Sequence, residues 1–287
     1  MPNNRVLEQK GRSMSAFNAI STDKLFRLIG TPSCPAIIDV RDAQPTLIPS
    51  SRPFPADAVE GWAKDVDGPS VIVCQGGKSR SAGVAAWLRA NGLDSEILEG
   101  GFDAWTAAGF PVVDAAKLPP RDSERRTRWV TRARPKVDRI ACPWLIRRFV
   151  DPGAVFLFVA PSEVEGVAAT LDAAPFDFEG AFWSHRGDRC SFDTMVEELG
   201  LAGFEALRHL AIIVRGADTA RPELAPQCAG LVAASLGLSR MYADDHQQLE
   251  AGTILYDSLY RWCRDATEET HDWVSHAPRT RAAKCPA

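Results

Sequence analysis

The sequence predicts an α/β protein: a parallel sheet flanked by helices, followed by a second, helix-rich α/β or α+β domain. Three observations carry this. Over the first 115 residues, short continuous apolar runs alternate with helix-spaced segments, the pattern of strands buried on both faces and joined by crossover helices. A proline pair inside a charge run, "DAAKLPPRDSERRT" (114–127), then breaks the periodicity. Beyond it, helical signals dominate to about residue 277.

In chain order, residues 1–14 are polar and aperiodic and read as a disordered leader, so the first domain is placed at 15–113. Ser21–Ile29 carries apolar residues at helical spacing (Leu25, Phe26, Leu28, Ile29) behind a Ser21 or Thr22 cap. "AIIDV" (36–40) and "VIVC" (71–74) are strands, and the five prolines between 42 and 69 make an irregular crossing. Val84, Ala85, Leu88 and Arg89 mark a helix that "NGL" (91–93) stops. The strand "SEIL" (95–98) follows, and "EGGFDAWTAAGFPV" supplies a glycine turn, a short helix and a Gly-Pro stop. Residues 114–127 are expected to be a linker and 128–277 the second domain, with strands at 128–132, 154–160 and 180–184. Its helices are expected at Val137–Val150, Glu205–Val214, Pro222–Leu236 and Asp244–Cys263, before a frayed tail at 278–287.

Composition narrows the function classes. The 287 residues are 45% hydrophobic, enough for two cores. A net charge of −4 supplies no global field for nucleic acid or an acidic membrane. No run approaches a membrane span and the N-terminal stretch lacks the apolar region of a secretory signal, so a soluble cytoplasmic protein is expected. Seven cysteines, odd in number and without a CxxC pair, argue against a disulfide framework or a zinc ribbon.

One of those cysteines stands apart. In "VIVCQGGKSRSAGVAAWL" (71–88), Cys74 ends a strand and opens a glycine-rich turn into a helix. Such a turn aims backbone N–H groups and the positive end of a helix dipole at one point, favouring thiolate over thiol. Lys78 and Arg80 are expected to push the same way, Gly76 and Gly77 to let the backbone curl toward an anion, and Ser79 and Ser81 to add hydroxyls. The alternative is a buried cysteine closing a strand above an ordinary turn.

The segments "IIDVR" (37–41), "CQGGKSRS" (74–81) and "LEGGFDAWTAAGFPV" (98–112) together resemble the rhodanese-type sulfurtransferases. The resemblance implies a persulfide enzyme with Cys74 as nucleophile and Gln75, Gly76, Gly77, Lys78, Ser79 and Arg80 as the substrate-binding loop. Its partners would be a sulfur donor such as thiosulfate and a thiol acceptor, with no cofactor. Two departures matter. "SSRPFPADAV" replaces the family's usual "GHIPGA" turn, and the cysteine loop is one residue longer. The resulting Cys74-to-Arg80 spacing is also that of cysteine phosphatases and rhodanese-like arsenate reductases, although Val73 stands where phosphatases carry histidine. The alternative function is therefore a module that binds a tetrahedral oxyanion (chromate, arsenate or phosphate) as sensor, regulator or reductase.

In the second domain "RWVTRARPKVDRIACPWLIRRFVDPGAVFLFV" (128–159), "SHRGDRCSFD" (184–193), "RGADT" (215–219) and "LGLSRMYADDHQQLEAG" (236–252) are similar to the chromate-resistance protein family, which implies a part in chromate resistance or its regulation. Ten Arg or Lys against three acids over 121–148 form a basic run, for an oxyanion or for pairing with core carboxylates. It contains no DNA-reading motif, so nucleic acid is not an expected partner. No metal site is assigned. His185 and Cys190, near Asp193 and Glu179, are of ligating type but match no standard zinc spacing, while Asp218, Asp244, Asp245 and His246 either complete such a site or cap helices. Cys142, Trp129, Trp183, Tyr256, Tyr260 and Trp262 are expected in the core.

Overall fold

The computed structural model describes residues 18–269, so the expected leader at 1–14 and tail at 278–287 lie outside the described residues. The first part of the chain runs β1 (Ala19–Ile20), α1 (Thr22–Leu28), β2 (Ala36–Asp39), β3 (Thr46–Leu47), β4 (Ser51–Pro53), α2 (Val59–Trp62), β5 (Ser70–Val73), α3 (Ser79–Ala90), β6 (Ser95–Leu98), α4 (Gly101–Ala107) and β7 (Val113–Asp114). Strands β1-β6-β5-β2-β4 form one all-parallel sheet in that order, and β3 pairs antiparallel with β7.

The central strands are apolar on both faces, as the unbroken runs require. Val71 and Val73 of β5 pack on one side of the sheet, while Ile72 and the following Cys74 pack on the other, against Val84, Ala85 and Leu88 of α3. Period-two alternation thus sets Cys74 on the α3 face. Ser21 caps α1, accepting from the Lys24 amide. The crossing at 42–69 is less irregular than expected: Ser51–Pro53 adds an edge strand, where a proline costs no ladder bond.

The second part comprises β8 (Arg128–Arg132), α5 (Asp138–Phe149), β9 (Val155–Val159), α6 (Val164–Leu171), β10 (Ala174–Pro175), α7 (Ser191–Glu198), α8 (Glu205–Asp218), α9 (Gln227–Met241) and α10 (Asp245–Asp265). The three strands form a parallel sheet in the order β10-β8-β9. The strand expected at 180–184 is not formed. Trp183 makes a single bridge to Phe176, and Ala174–Pro175 takes the edge of the sheet instead. Trp129, Trp144, Phe149, Phe192 and Tyr256 are fully buried in a core that also contains Ile20, Leu25 and Trp105 of the first part. Apolar packing is continuous between the two parts: Phe26 stacks on Phe204 at 4.7 Å, and the Ser50 amide donates to the Phe149 carbonyl at 2.7 Å.

The segment 114–127, expected as a linker, is a fixed strap. Asp122 accepts from the amide and guanidinium of Arg126, Arg121 reaches the Arg125 carbonyl and Asp151, and Lys117 pairs with Glu198 at 2.8 Å. Arg125 also donates to the Pro53 carbonyl at 3.2 Å, so the charges of this segment close on one another and on both parts of the chain.

Candidate active site

Strand β5 delivers Cys74 to the mouth of the sheet, and residues 74–78 turn into α3 around its sulfur. The Lys78 amide donates to Sγ at 3.3 Å, and the Ser81 hydroxyl lies 3.1 Å away. Ser81 Oγ is also 3.0 Å from the Lys78 carbonyl. A hydroxyl has one hydrogen, so Ser81 donates to that carbonyl while accepting from the thiol, and turns its hydrogen to sulfur once the thiolate forms. Burial raises the Cys74 pKa, but the hydrogen bonds from Ser81 and from the amides of Ser81, Lys78 and Gly77 outweigh it and bring the thiol below its ordinary value. Backbone and hydroxyl donors lead this lowering, as the glycine turn at a helix start predicts, and the Lys78 and Arg80 charges are not among its largest causes.

A second segment holds the loop from behind. The amides of Phe102 and Asp103 donate to the carbonyls of Cys74 and Gln75 at 3.0 and 2.9 Å. Gly77 (φ +63°) and Gly101 (φ +60°) make this approach possible: a Cβ on Gly101 would stand 2.3 Å from the Cys74 carbonyl oxygen. The double glycine 100–101 was legible as a turn. Its role as the back wall of the cysteine loop was not, because nothing local pairs residues 74–77 with 98–103.

Cys74, Gln75, Gly76, Lys78, Ser79 and Arg80 line one cleft of about 460 Å³, together with Arg41, Asp42 and Ala43. Gly77 lies behind it. Gln75 turns its amide to Asp103, and Arg80 is turned to the Val40 carbonyl and the Asp42 carboxylate. The Arg80 guanidinium thus sits at the rim, ion-paired. Sequence reasoning passed over Arg41, which is buried, held by Asp39 and stacked 3.5 Å over Phe102.

The ligating-type residues of the second domain do not all meet. His185 Nε2 lies 3.2 Å from Asp177, 3.3 Å from Asp218 and 3.5 Å from Asp138. These carboxylates push the imidazole up to about 12, while burial pushes Asp138 up to about 6. Cys190 is hydrogen-bonded to Asp193, itself clamped by Arg215. Asp244 caps α10, Asp245 pairs with Arg134, and His246 packs on Phe158, so this trio belongs to helix ends and packing. Asp138 and Asp177 were missed as site residues because each looks like an isolated acid in the sequence. The basic run finds internal partners: Arg132 and Arg139 on Asp177, Arg147 on Glu250, and Arg148 on Asp257.

Among the described residues, no helix is long and apolar enough to cross a membrane. The chain is 34% identical over 160 residues to Protein ChrB of Cupriavidus metallidurans, a match covering 55% of this chain and 48% of that protein. It thus spans about half the length of the curated relative. A rhodanese-related protein from Thermoplasma volcanium is similar at 24% identity (34% of this chain, 98% of that one, TM-score 0.31). So is a rhodanese-like domain protein from Staphylococcus aureus, at 33% identity (31% and 91%, TM-score 0.29). Residues 21–108 match the rhodanese-like domain family and residues 129–263 match the C-terminal domain of ChrB, so the chain is a rhodanese-like domain followed by a ChrB C-terminal domain.

Proposed function

We propose that the protein is a cytoplasmic sulfurtransferase serving chromate resistance, with Cys74 as its nucleophile. The observation that carries this reading is a sulfur at the base of an open cleft that receives the Lys78 amide and the Ser81 hydroxyl and is brought below the ordinary thiol pKa. The Cys74 thiolate attacks the sulfane sulfur of a thiosulfate-like donor. The donor's S–S bond breaks, sulfite leaves with the bonding pair, and a Cys74 persulfide remains. The same donors that hold the thiolate hold the persulfide anion. An acceptor thiolate then attacks the outer sulfur, forming its own persulfide and regenerating the Cys74 thiolate. Association with chromate resistance rests on the ChrB-like second half.

Intact-protein mass spectrometry after thiosulfate treatment tests the step. Wild type is expected to gain about 32 Da, one sulfur atom, reversed by a thiol reductant, and Cys74→Ala to gain nothing. An unmodified wild type, or an adduct retained in Cys74→Ala, removes this reading and leaves the cleft as an oxyanion-binding loop.

A further inference from the structure

We infer that Asp138, Asp177, His185 and Asp218 form a binding site for one divalent transition-metal cation such as Mn²⁺, Fe²⁺ or Zn²⁺. The four residues come from the start of α5, the loop after β10, the loop before α7 and the end of α8, yet the ligand atoms of three of them gather in one place and the fourth, Asp218, joins them through His185. Those of Asp138, Asp177 and His185 lie within 4.8 Å of one another, and His185 Nε2 is 3.2–3.5 Å from all three carboxylates. Ligands bonded at about 2.1 Å to a shared ion stand roughly 3–3.5 Å apart, the spacing at which His185 Nε2 stands from each carboxylate. A ring nitrogen carries at most one hydrogen. One carboxylate contact is therefore met by a hydrogen bond, and the other two oxygens face the nitrogen as fellow ligands would.

The surroundings are those of a held site. Asp138 accepts from the amides of Ser191 and Phe192 at 2.7 and 2.9 Å, and Asp177 accepts from the Ser191 hydroxyl at 3.0 Å and pairs with Arg132 and Arg139. These contacts fix the carboxylates in place, as outer partners of metal ligands do. Val137, next to Asp138, sits at φ +39°, a costly conformation for a β-branched residue. It is clamped by Ser235 on its amide and Tyr256 on its carbonyl. The His185 side is open to solvent, with 40% of its side chain exposed, which gives a cation a route in. Three carboxylates with one imidazole form a mixed oxygen and nitrogen set, suited to Mn²⁺, Fe²⁺ or Zn²⁺ above Ca²⁺ or Cu⁺.

The test uses the full chain without an affinity tag, stripped with chelator and titrated with Mn²⁺ or Zn²⁺. Calorimetry counts bound metal, and the loss of free Mn²⁺ signal in electron paramagnetic resonance checks it. Wild type is expected to take up one equivalent, with affinity falling more than about tenfold in His185→Ala and in Asp218→Asn and unchanged in Cys74→Ala. Both variants alter partly exposed side chains, and circular dichroism verifies their folding. Asp138→Asn removes a buried cap of α7 and is the less secure variant. No uptake by wild type, or equal uptake by His185→Ala and Asp218→Asn, overturns the site and leaves an ion cluster in which His185 is the counter-ion. Neither outcome bears on the Cys74 persulfide.

Discussion

The Cys74 loop and the Asp138 cluster each hold thiols, and they treat them in opposite ways. Cys74 faces N–H and O–H donors and is lowered. Cys142 and Cys190 are buried without exposure, each with a carboxylate as its polar neighbour: Asp138 at 3.5 Å and Asp193 at 3.4 Å. Burial first, then those negative charges, raise both well above the ordinary value. A carboxylate accepts a hydrogen bond from the thiol and so favours the S–H form, whereas an amide donates to the thiolate and stabilises it. Thiol acidity in this chain is therefore set by the sign of the nearest dipole or charge as well as by burial.

The largest expected effect is a direct readout of that contrast. With iodoacetamide at pH 7, Cys74 should be alkylated at least about 100-fold faster than Cys142 or Cys190, followed residue by residue in peptide mass spectra so that Cys285 in the undescribed tail is counted separately. The Cys74 rate should have its midpoint below the ordinary value of 9.0. In Ser81→Ala the midpoint should move up, because a donor to the thiolate is gone. The linked stability has a definite sign: the native thiol ionises before the unfolded one, so Cys74 stabilises the fold increasingly as pH rises through its native pKa, fully above the unfolded value. That contribution disappears as pH falls below the native pKa. The melting temperature of wild type relative to Cys74→Ser should therefore increase from neutral pH toward pH 9. Equal alkylation of the three thiols would abolish the contrast.

Next in size is the wall behind the loop. Gly101→Ala would place a methyl 2.3 Å from both the Cys74 carbonyl oxygen and the Gly77 nitrogen, in a backbone conformation that disfavours any side chain. A cost of about 2–3 kcal/mol is expected in urea unfolding, with slower Cys74 alkylation because the loop must move. The same change at Gly83, on α3 with open space around it, should be close to neutral or slightly stabilising. Similar unfolding curves for the two variants would show that residues 98–103 do not shape the cysteine loop.

What was legible in the sequence follows the same division. The Cys74 loop lies within eight consecutive residues, and the strand before it and the helix after it announce themselves by period, so its position, exposure to a helix N-terminus and depressed pKa could all be read. The mixed α/β order of the first domain was legible for the same reason. The edge strands β1 and β4 were not, since two or three residues carry no period. The Asp138 cluster joins residues 138, 177, 185 and 218, and only the packing of α5, α7 and α8 brings them together. His185 and Asp218 could be flagged by residue type alone. The basic run left two readings open for a related reason: Asp177, Glu250 and Asp257, whose pairing with it decides for core carboxylates, lie far along the chain.

The smallest expected effect concerns the rim of the cleft, where sequence spacing set Arg80 to grip an anion and the structure pairs it with Asp42 and the Val40 carbonyl. Both side chains of that pair are well exposed, so removing it has little bearing on stability. Its consequence lies in competition: an anion entering the cleft must draw Arg80 away from a carboxylate that is already there. Asp42→Asn removes the competitor and one negative charge while leaving the donors to Cys74 in place. The apparent KM for thiosulfate should fall by about two- to threefold at low salt, an advantage that shrinks as salt screens the exposed charges, and kcat should move less than KM. Should KM stay constant at every ionic strength, Arg80 has no part in anion capture. The amides of the loop would then hold the substrate by themselves, as they hold the sulfur.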